Sequence, residues 1–289
     1  MSERRRRRTR AQIEQLRTQM LEELEGDHPQ SVRHVFYRMT NPNLPEPVEK
    51  DQQQGYVPVQ RQLVKMRREF LVPYSWLVDT TRRGYFTTTY NHPSEAVAHV
   101  AQLYRRNYWA SAPVYVEVWC ESRSIAGVIE DDCMRYAVPL YPSGGFTSLS
   151  LAWQAAENIK ASAGDRPVHV LYIGDYDPAG VLIDRQIEQE LKAHLPEQEI
   201  MFHRIGINPE QIALMGLPTK PPKKNDKRGG WSSDQGTVEA EAMPAGVMRQ
   251  LLCDAIVEFI DPHELAVLEE AEKSERLDLF EYAQRMRAA

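Results

Sequence analysis

Three cysteines in 289 residues, without an even count or a CxxC spacing, leave no material for a disulfide framework or a thiolate zinc site. Cys120, Cys133 and Cys253 therefore read as reduced, structural side chains. No stretch approaches the ~20 apolar residues of a membrane span. The arginine run from Arg4 to Arg8 has no apolar segment behind it, as a secretory signal would require, so a cytosolic protein is expected. The chain also lacks a GxxxxGKS/T phosphate loop and any other nucleotide-binding fingerprint, so no nucleotide site is expected in it. No internal repeat is found, which argues against a solenoid.

What is present suffices for two ordinary cores: 42% of the residues are hydrophobic. The net charge of -6 is unevenly spread. Residues 1–112 hold 18 Lys and Arg against 12 Asp and Glu, leaving 17 against 29 for the rest. A basic N-terminal part joined to an acidic one suggests a polyanion partner on the first, although a basic run can equally be a solvated arm.

The first part reads as helices followed by a hairpin. Ile13, Leu16, Met20 and Leu24 recur at helical spacing up to Gly26 and Pro29, and Ser31 is a candidate N-cap for a short helix, SVRHVFYRM. A Pro-rich polar loop follows. A third helix is expected from about Pro58 to Phe70, with Val59, Leu63, Met66 and Phe70 on one face and Arg61, Lys65 and Arg68 off it. The segments SWLVDTT and GYFTTTY, around the turn candidate RRG, read as a hairpin. That order fits a winged helix, whose third helix would offer Arg61, Lys65 and Arg68 to DNA, and equally a small α+β bundle with a basic face. A helix at Ser94 to Asn107 leads to a boundary near Pro113.

From Val114 the pattern becomes α/β. VYVEVWC, YAVPLYP, VHVLYIG and EIMFHRIGI are strand-like, with helices at Ile125–Tyr136, Leu149–Ala161 and Ala179–Leu195 between them, as in a parallel sheet with right-handed crossovers. KPPKKNDKRGGWSSDQG is a long basic loop, and residues 243–289 read as two helices broken at Asp261-Pro262.

Ligand groups in parallel sheets collect at the carboxyl ends of strands. Glu121 follows the first strand, and Asp175 and Asp177 follow the third in VLYIGDYDPAG. Clustered acids repel unless a cation neutralises them, and hard carboxylate oxygens suit Mg²⁺. Asp177-Pro178 also suits a plain helix cap, which would account for one acid but not for Glu121 or Asp175.

A strand ending in Glu, the glycine turn PSGGFTS with Gly144 and Gly145, and a strand ending in DxDPxG resemble the TOPRIM domain of topoisomerases and primases over roughly residues 113–206. The resemblance implies Glu121 as general acid/base or metal ligand, with Asp175 and Asp177 holding Mg²⁺ or Mn²⁺. SVRHVFYRM is similar to the R-x-I-Y-Y stretch in the winged helix of the topoisomerase VI A subunit and the meiotic double-strand-break protein, with Phe36 departing at the first aromatic. It implies Tyr37 as nucleophile and Arg33, four residues before it, as the phosphate holder; a lone tyrosine on such a helix is otherwise a core residue.

Together these resemble a compact type IIB topoisomerase A subunit. The implied organisation is a winged helix (1–112), a Rossmann-like TOPRIM domain (113–215), and a basic loop with a C-terminal helical tail (216–289). The implied chemistry is Mg²⁺-dependent cleavage of double-stranded DNA through a 5′-phosphotyrosyl intermediate. The implied assembly is a homodimer that pairs Tyr37 of one protomer with the acids of the other, and any ATP-driven step would need a separate B-type ATPase subunit. The alternatives are a TOPRIM nuclease that uses water and a non-catalytic DNA-binding protein. GTVEAEAMPAGVMRQLL resembles the acidic segment after the TOPRIM in these proteins, but Glu239 and Glu241 receive no role.

Overall fold

The computed structural model describes residues 8–78, 87–145, 149–221 and 236–288. The first helix, α1 (Arg10–Gly26), starts at a capping box in which Thr9 and Gln12 each accept from the other's backbone N–H. It buries Leu16, Met20 and Leu24, the spaced residues of the sequence pattern. Helix α2 (Val32–Met39) is capped by Ser31, whose Oγ accepts from the His34 N–H at 3.2 Å. Helix α3 (Val57–Arg68) packs across both and seals Val59, Leu63 and Met66.

Two expectations for this part need correction. Phe70 lies beyond the end of α3, with a φ of 57° and 86% of its surface exposed, so it is not on the buried face. The chain turns there because the Leu71 and Val72 N–H groups both fold back onto the Met66 carbonyl. In the described part of the expected hairpin's first arm, Tyr74–Trp76 is a short 3-10 turn, and Leu77 makes an isolated parallel bridge to Gln30. Residues 87–90 form no strand, and the rest of the expected hairpin, 79–86, lies outside the described residues. Helix α4 (Pro93–Leu103) is four residues shorter than expected at its end.

Four parallel strands follow: β1 (Tyr115–Cys120), β2 (Leu140–Pro142), β3 (Val168–Ile173) and β4 (Ile200–Gly206). Their order in the sheet is β2-β1-β3-β4. Helices α5 (Arg123–Arg135), α6 (Leu149–Ser162) and α7 (Gly180–His194) make the crossovers. The strand expected at YAVPLYP shrinks to its last three residues, because Ala137 takes a φ of 53° to end α5 and so cannot continue a strand.

Beyond β4 the chain forms α8 (Pro209–Met215), α9 (Ala245–Val257) and α10 (Pro262–Ala288), the last two flanking the expected break. α5 and α9 pack together on one face of the sheet and α6 and α7 on the other, while α10 lies along α4. No helix among the described residues is long and apolar enough to cross a membrane.

The central strands are buried along their full length, as expected of strands covered on both faces. Val116, Val118, Cys120, Leu171 and Ile173 join a large apolar cluster that continues through α5 and α9 to Leu16, Val35 and Leu63 of the first helices. Tyr115, Trp119, Val168, Val170 and Tyr172 face α6 and α7 in a second cluster. Each large apolar side chain sealed in this way contributes roughly 1.5–3 kcal/mol.

Candidate active site

The sheet order creates the crevice. β1 crosses to β2 on one side and β3 crosses to β4 on the other, so the loops after β1 and β3 diverge and leave an opening between neighbouring strand ends. Glu121, Asp175 and Asp177 all sit at that opening. The Glu121 N–H donates to the Ile173 carbonyl at 2.9 Å, tying the two strand ends together, and Glu121 Oε2 accepts from the Asp175 N–H at 2.8 Å. The glycine turn lies alongside, with Gly144 and Gly145 at φ of 70° and 98°, and the Gly145 N–H donating to the Glu121 carbonyl at 3.2 Å.

Asp177 does what a helix cap does. Its Oδ1 accepts from the Ala179 and Gly180 N–H groups at 2.9 and 2.6 Å, fixing the start of α7. Gly180 is needed for the same tight turn: a Cβ there would lie 2.2 Å from the Asp175 carbonyl oxygen and 3.3 Å from Glu121 Oε2. Arg204, on β4, holds this loop from beneath. Its guanidinium donates to the carbonyls of Gly174, Asp175, Gly180 and Ile207 at 2.9–3.3 Å and pairs with Asp184 at 2.7 Å.

The acids crowd one another. Burial, and then the Asp177 charge, raise the pKa of Glu121 despite the hydrogen bond from Asp175. Burial, followed by the charges of Glu121 and Glu241, pushes Asp175 well above the usual carboxylate range. Among the described residues no group of three or more His, Cys, Asp or Glu stands ready to hold a metal ion. The donor chemistry nonetheless fits a hard divalent cation, because repulsion between half-buried carboxylates is what such an ion relieves.

A segment without an assigned role completes the site. Val238 pairs with Tyr176, and the 3-10 turn Ala240–Ala242 follows, so that the Ala240 N–H donates to Asp175 Oδ1 at 2.8 Å. Glu241 is buried and accepts from Ser124 Oγ at 2.5 Å. Glu239 faces α2. It pairs with Arg33 and accepts from Lys220 Nζ at 2.9 Å. Burial opposes its charge, but Lys220 and Arg33 outweigh that and hold Glu239 below the usual range.

α2 therefore delivers Arg33 and Tyr37 to the same place. Tyr37 is 3% exposed; its hydroxyl accepts from Lys220 Nζ at 3.2 Å and donates toward Glu239. Burial first, and then Glu239, raise its pKa, so the phenol is held neutral. Arg33 is held charged: burial works against it, but Glu239 and Glu241 more than compensate.

Glu121, Asp175, Asp177, Arg33 and Tyr37 thus gather in one region of a single chain. Arg61, Lys65 and Arg68 are exposed on α3. Sequence reasoning missed Lys220, Arg204, Glu239 and Glu241; only the acidic GTVEAEAMP stretch offered a signal, for the last two. No protein-family model, curated protein or solved structure matches the chain.

Proposed function

We propose that the protein cleaves double-stranded DNA by transesterification, as a type IIB topoisomerase A subunit does, with a winged-helix-like N-terminal part and a TOPRIM-like sheet. The observation that carries this reading is the continuity from Tyr37 to the acids: its hydroxyl accepts from Lys220, Lys220 also bonds Glu239, and the next residue, Ala240, bonds Asp175. A buried core tyrosine has no need of a lysine, a carboxylate and a neighbouring arginine around its hydroxyl.

The Tyr37 oxygen attacks a backbone phosphorus, the 3′ oxygen leaves, and the 5′ end stays joined to the tyrosine. The proton lost by the phenol balances the one gained by the 3′ oxygen, and Glu121 is the group assigned to that exchange. Arg33 offsets phosphate charge as the bonds rearrange. Asp175 and Asp177 would hold Mg²⁺, with Glu121 as the alternative ligand where it is not the acid/base, and the ion would supply further neutralisation of that charge. Because the bond energy is kept in the phosphotyrosine, resealing requires no nucleotide. Arg61, Lys65 and Arg68 provide contacts to the flanking duplex.

Two scissile phosphates call for two copies of the chain, hence a homodimer. Any strand-passage step driven by ATP falls to a separate ATPase subunit. The assembly of Tyr37 with the acids inside one chain favours a site that is not shared between protomers. Mixing Tyr37→Phe chains with Asp175→Asn/Asp177→Asn chains tests this. Verified mixed dimers should be inactive; nicking of one strand would mean that sites are shared.

The burial and neutrality of Tyr37 favour one rival, a TOPRIM-like nuclease that activates water and leaves no adduct. Denaturing a Mg²⁺ cleavage reaction separates the two. Protein attached to 5′ DNA ends, lost in Tyr37→Phe, supports transesterification, and cutting with no adduct supports the rival.

A further inference from the structure

Between α2 and the loop before α3 lies a cavity of about 90 Å³, lined by Arg33, Phe36, Lys50, Asp51, Tyr56, Lys220 and Glu239. Three cations face it. Lys220 Nζ bonds the Tyr37 hydroxyl at 3.2 Å, and Lys50 and Lys220 each stand 5.6 Å from the Tyr37 ring centre. Arg33 lies 5.9 Å from the Tyr56 ring centre.

Two carboxylates share the lining with them. Asp51 Oδ1 accepts from the Gln53 and Gln54 N–H groups at 2.7 Å. Glu241 acts on Arg33 from a distance while bonded to Ser124. Glu239 enters the group directly, bonding Arg33 and Lys220 at once. Lys50 Nζ donates to the Pro218 carbonyl at 2.5 Å, and burial first, then the Lys220 charge, lower its pKa to about 8.

One carboxylate bridging two cations beside a hydroxyl has the charge and the hydrogen bonds of a bound phosphodiester oxygen pair. We infer that Arg33, Lys50 and Lys220 form a binding site for a DNA backbone phosphate over Tyr37, and that Glu239 fills it in the free protein as an internal competitor. The assignment of DNA as ligand rests on the proposed function, whereas the anion site itself does not. DNA entering the site displaces Glu239 from Arg33 and Lys220 and takes over both contacts. Tyr37 is thereby uncovered only where a phosphate has arrived.

The test uses the full chain, without divalent metal, carrying ¹³C-labelled tyrosine rings, with the Tyr37 resonance assigned by its loss in Tyr37→Phe. Inorganic phosphate and a short DNA duplex are titrated separately against it. Glu239→Gln should tighten both by roughly tenfold, because a charged competitor becomes a neutral one. Lys220→Met should weaken both by a similar factor, and the gain from Glu239→Gln should shrink in the Lys220→Met background. Should Glu239→Gln fail to fold, Glu239→Asp, with a shorter reach to the cations, should give a smaller gain. Unchanged or weakened phosphate binding in a folded Glu239 variant overturns the anion site. Tightening for phosphate but not for duplex overturns DNA as its ligand. If both tighten while no covalent adduct ever forms, the site stands and the proposed transesterification falls.

Discussion

Two glutamates four residues apart, one within β1 and one just past its end, have opposite surroundings. Glu117, in the middle of β1, is fully buried on the α6 and α7 face, where Trp119 Nε1 donates to it at 3.1 Å and the Tyr115 hydroxyl approaches at 3.4 Å. Burial raises its pKa to about 7 although those donors favour its charge, and among the described residues no cation accompanies it. Glu121, just past the strand end, is half-buried, bonded to a backbone N–H and surrounded by Asp177, Asp175 and Glu241. A raised pKa alone therefore does not mark a site. Aromatic donors satisfy Glu117 where it stands, whereas the neighbours of Glu121 at the open end of the sheet are themselves carboxylates, whose effect the Arg204 charge only partly offsets.

The strongest test of that contrast is activity. Asp175→Asn with Asp177→Asn, or Tyr37→Phe alone, should lower Mg²⁺-dependent adduct formation by roughly four orders of magnitude or more, as loss of a nucleophile or its charge partners does. Glu117→Gln should leave it unchanged, and a large loss there would erase the distinction between the two glutamates.

Next in size is the support beneath the loop. Arg204→Met removes the donor to four carbonyls and strands Asp184, so a loss of about 3–5 kcal/mol in urea unfolding is expected. Arg204→Lys should lose less.

A third test reads Glu117 through pH. Its proton is held more tightly in the fold, at about 7, than at the ordinary value of 4.5. Its contribution is thus fully present below pH 4.5 and is lost as pH rises to about 7. The total is roughly 3 kcal/mol at about 1.4 kcal/mol per pH unit. Urea midpoints between pH 4.5 and 7 should fall less steeply in Glu117→Gln than in the wild type. The smallest effect lies outside both regions: Phe70→Gly should stabilise by about 1 kcal/mol, relieving a positive φ at an exposed residue, as read from thermal unfolding.

What could be read in advance follows the range of the interactions involved. The sheet was legible because VHVLYI and YVEVWC are unbroken apolar runs, and three of the acids were legible because they fall directly after such runs. Phe70 was misplaced because helical spacing continues on paper after the backbone has turned. Tyr136 to Val138 looked like strand because side-chain type does not announce the positive φ at Ala137. Lys220, Glu239 and Arg204 were invisible for another reason: their partners lie far along the chain, as with Arg33 and Glu239, 206 residues apart. No local pattern encodes such a meeting, and the basic or acidic stretches around them read equally well as solvated surface.

The Ala240 to Asp175 bond also fixes an order of events in synthesis. A ribosome releases the sheet, Glu121 and the DYDPAG loop before it releases residues 236–242. At ~5–20 residues per second the interval is a matter of seconds. During that interval the nascent chain has its acids but neither the clamp on Asp175 nor the carboxylate that covers Tyr37. The backbone N–H that clamps Asp175 and the carboxylate that bonds Lys220 beside Tyr37 lie in the same seven residues, so the chain never carries one without the other.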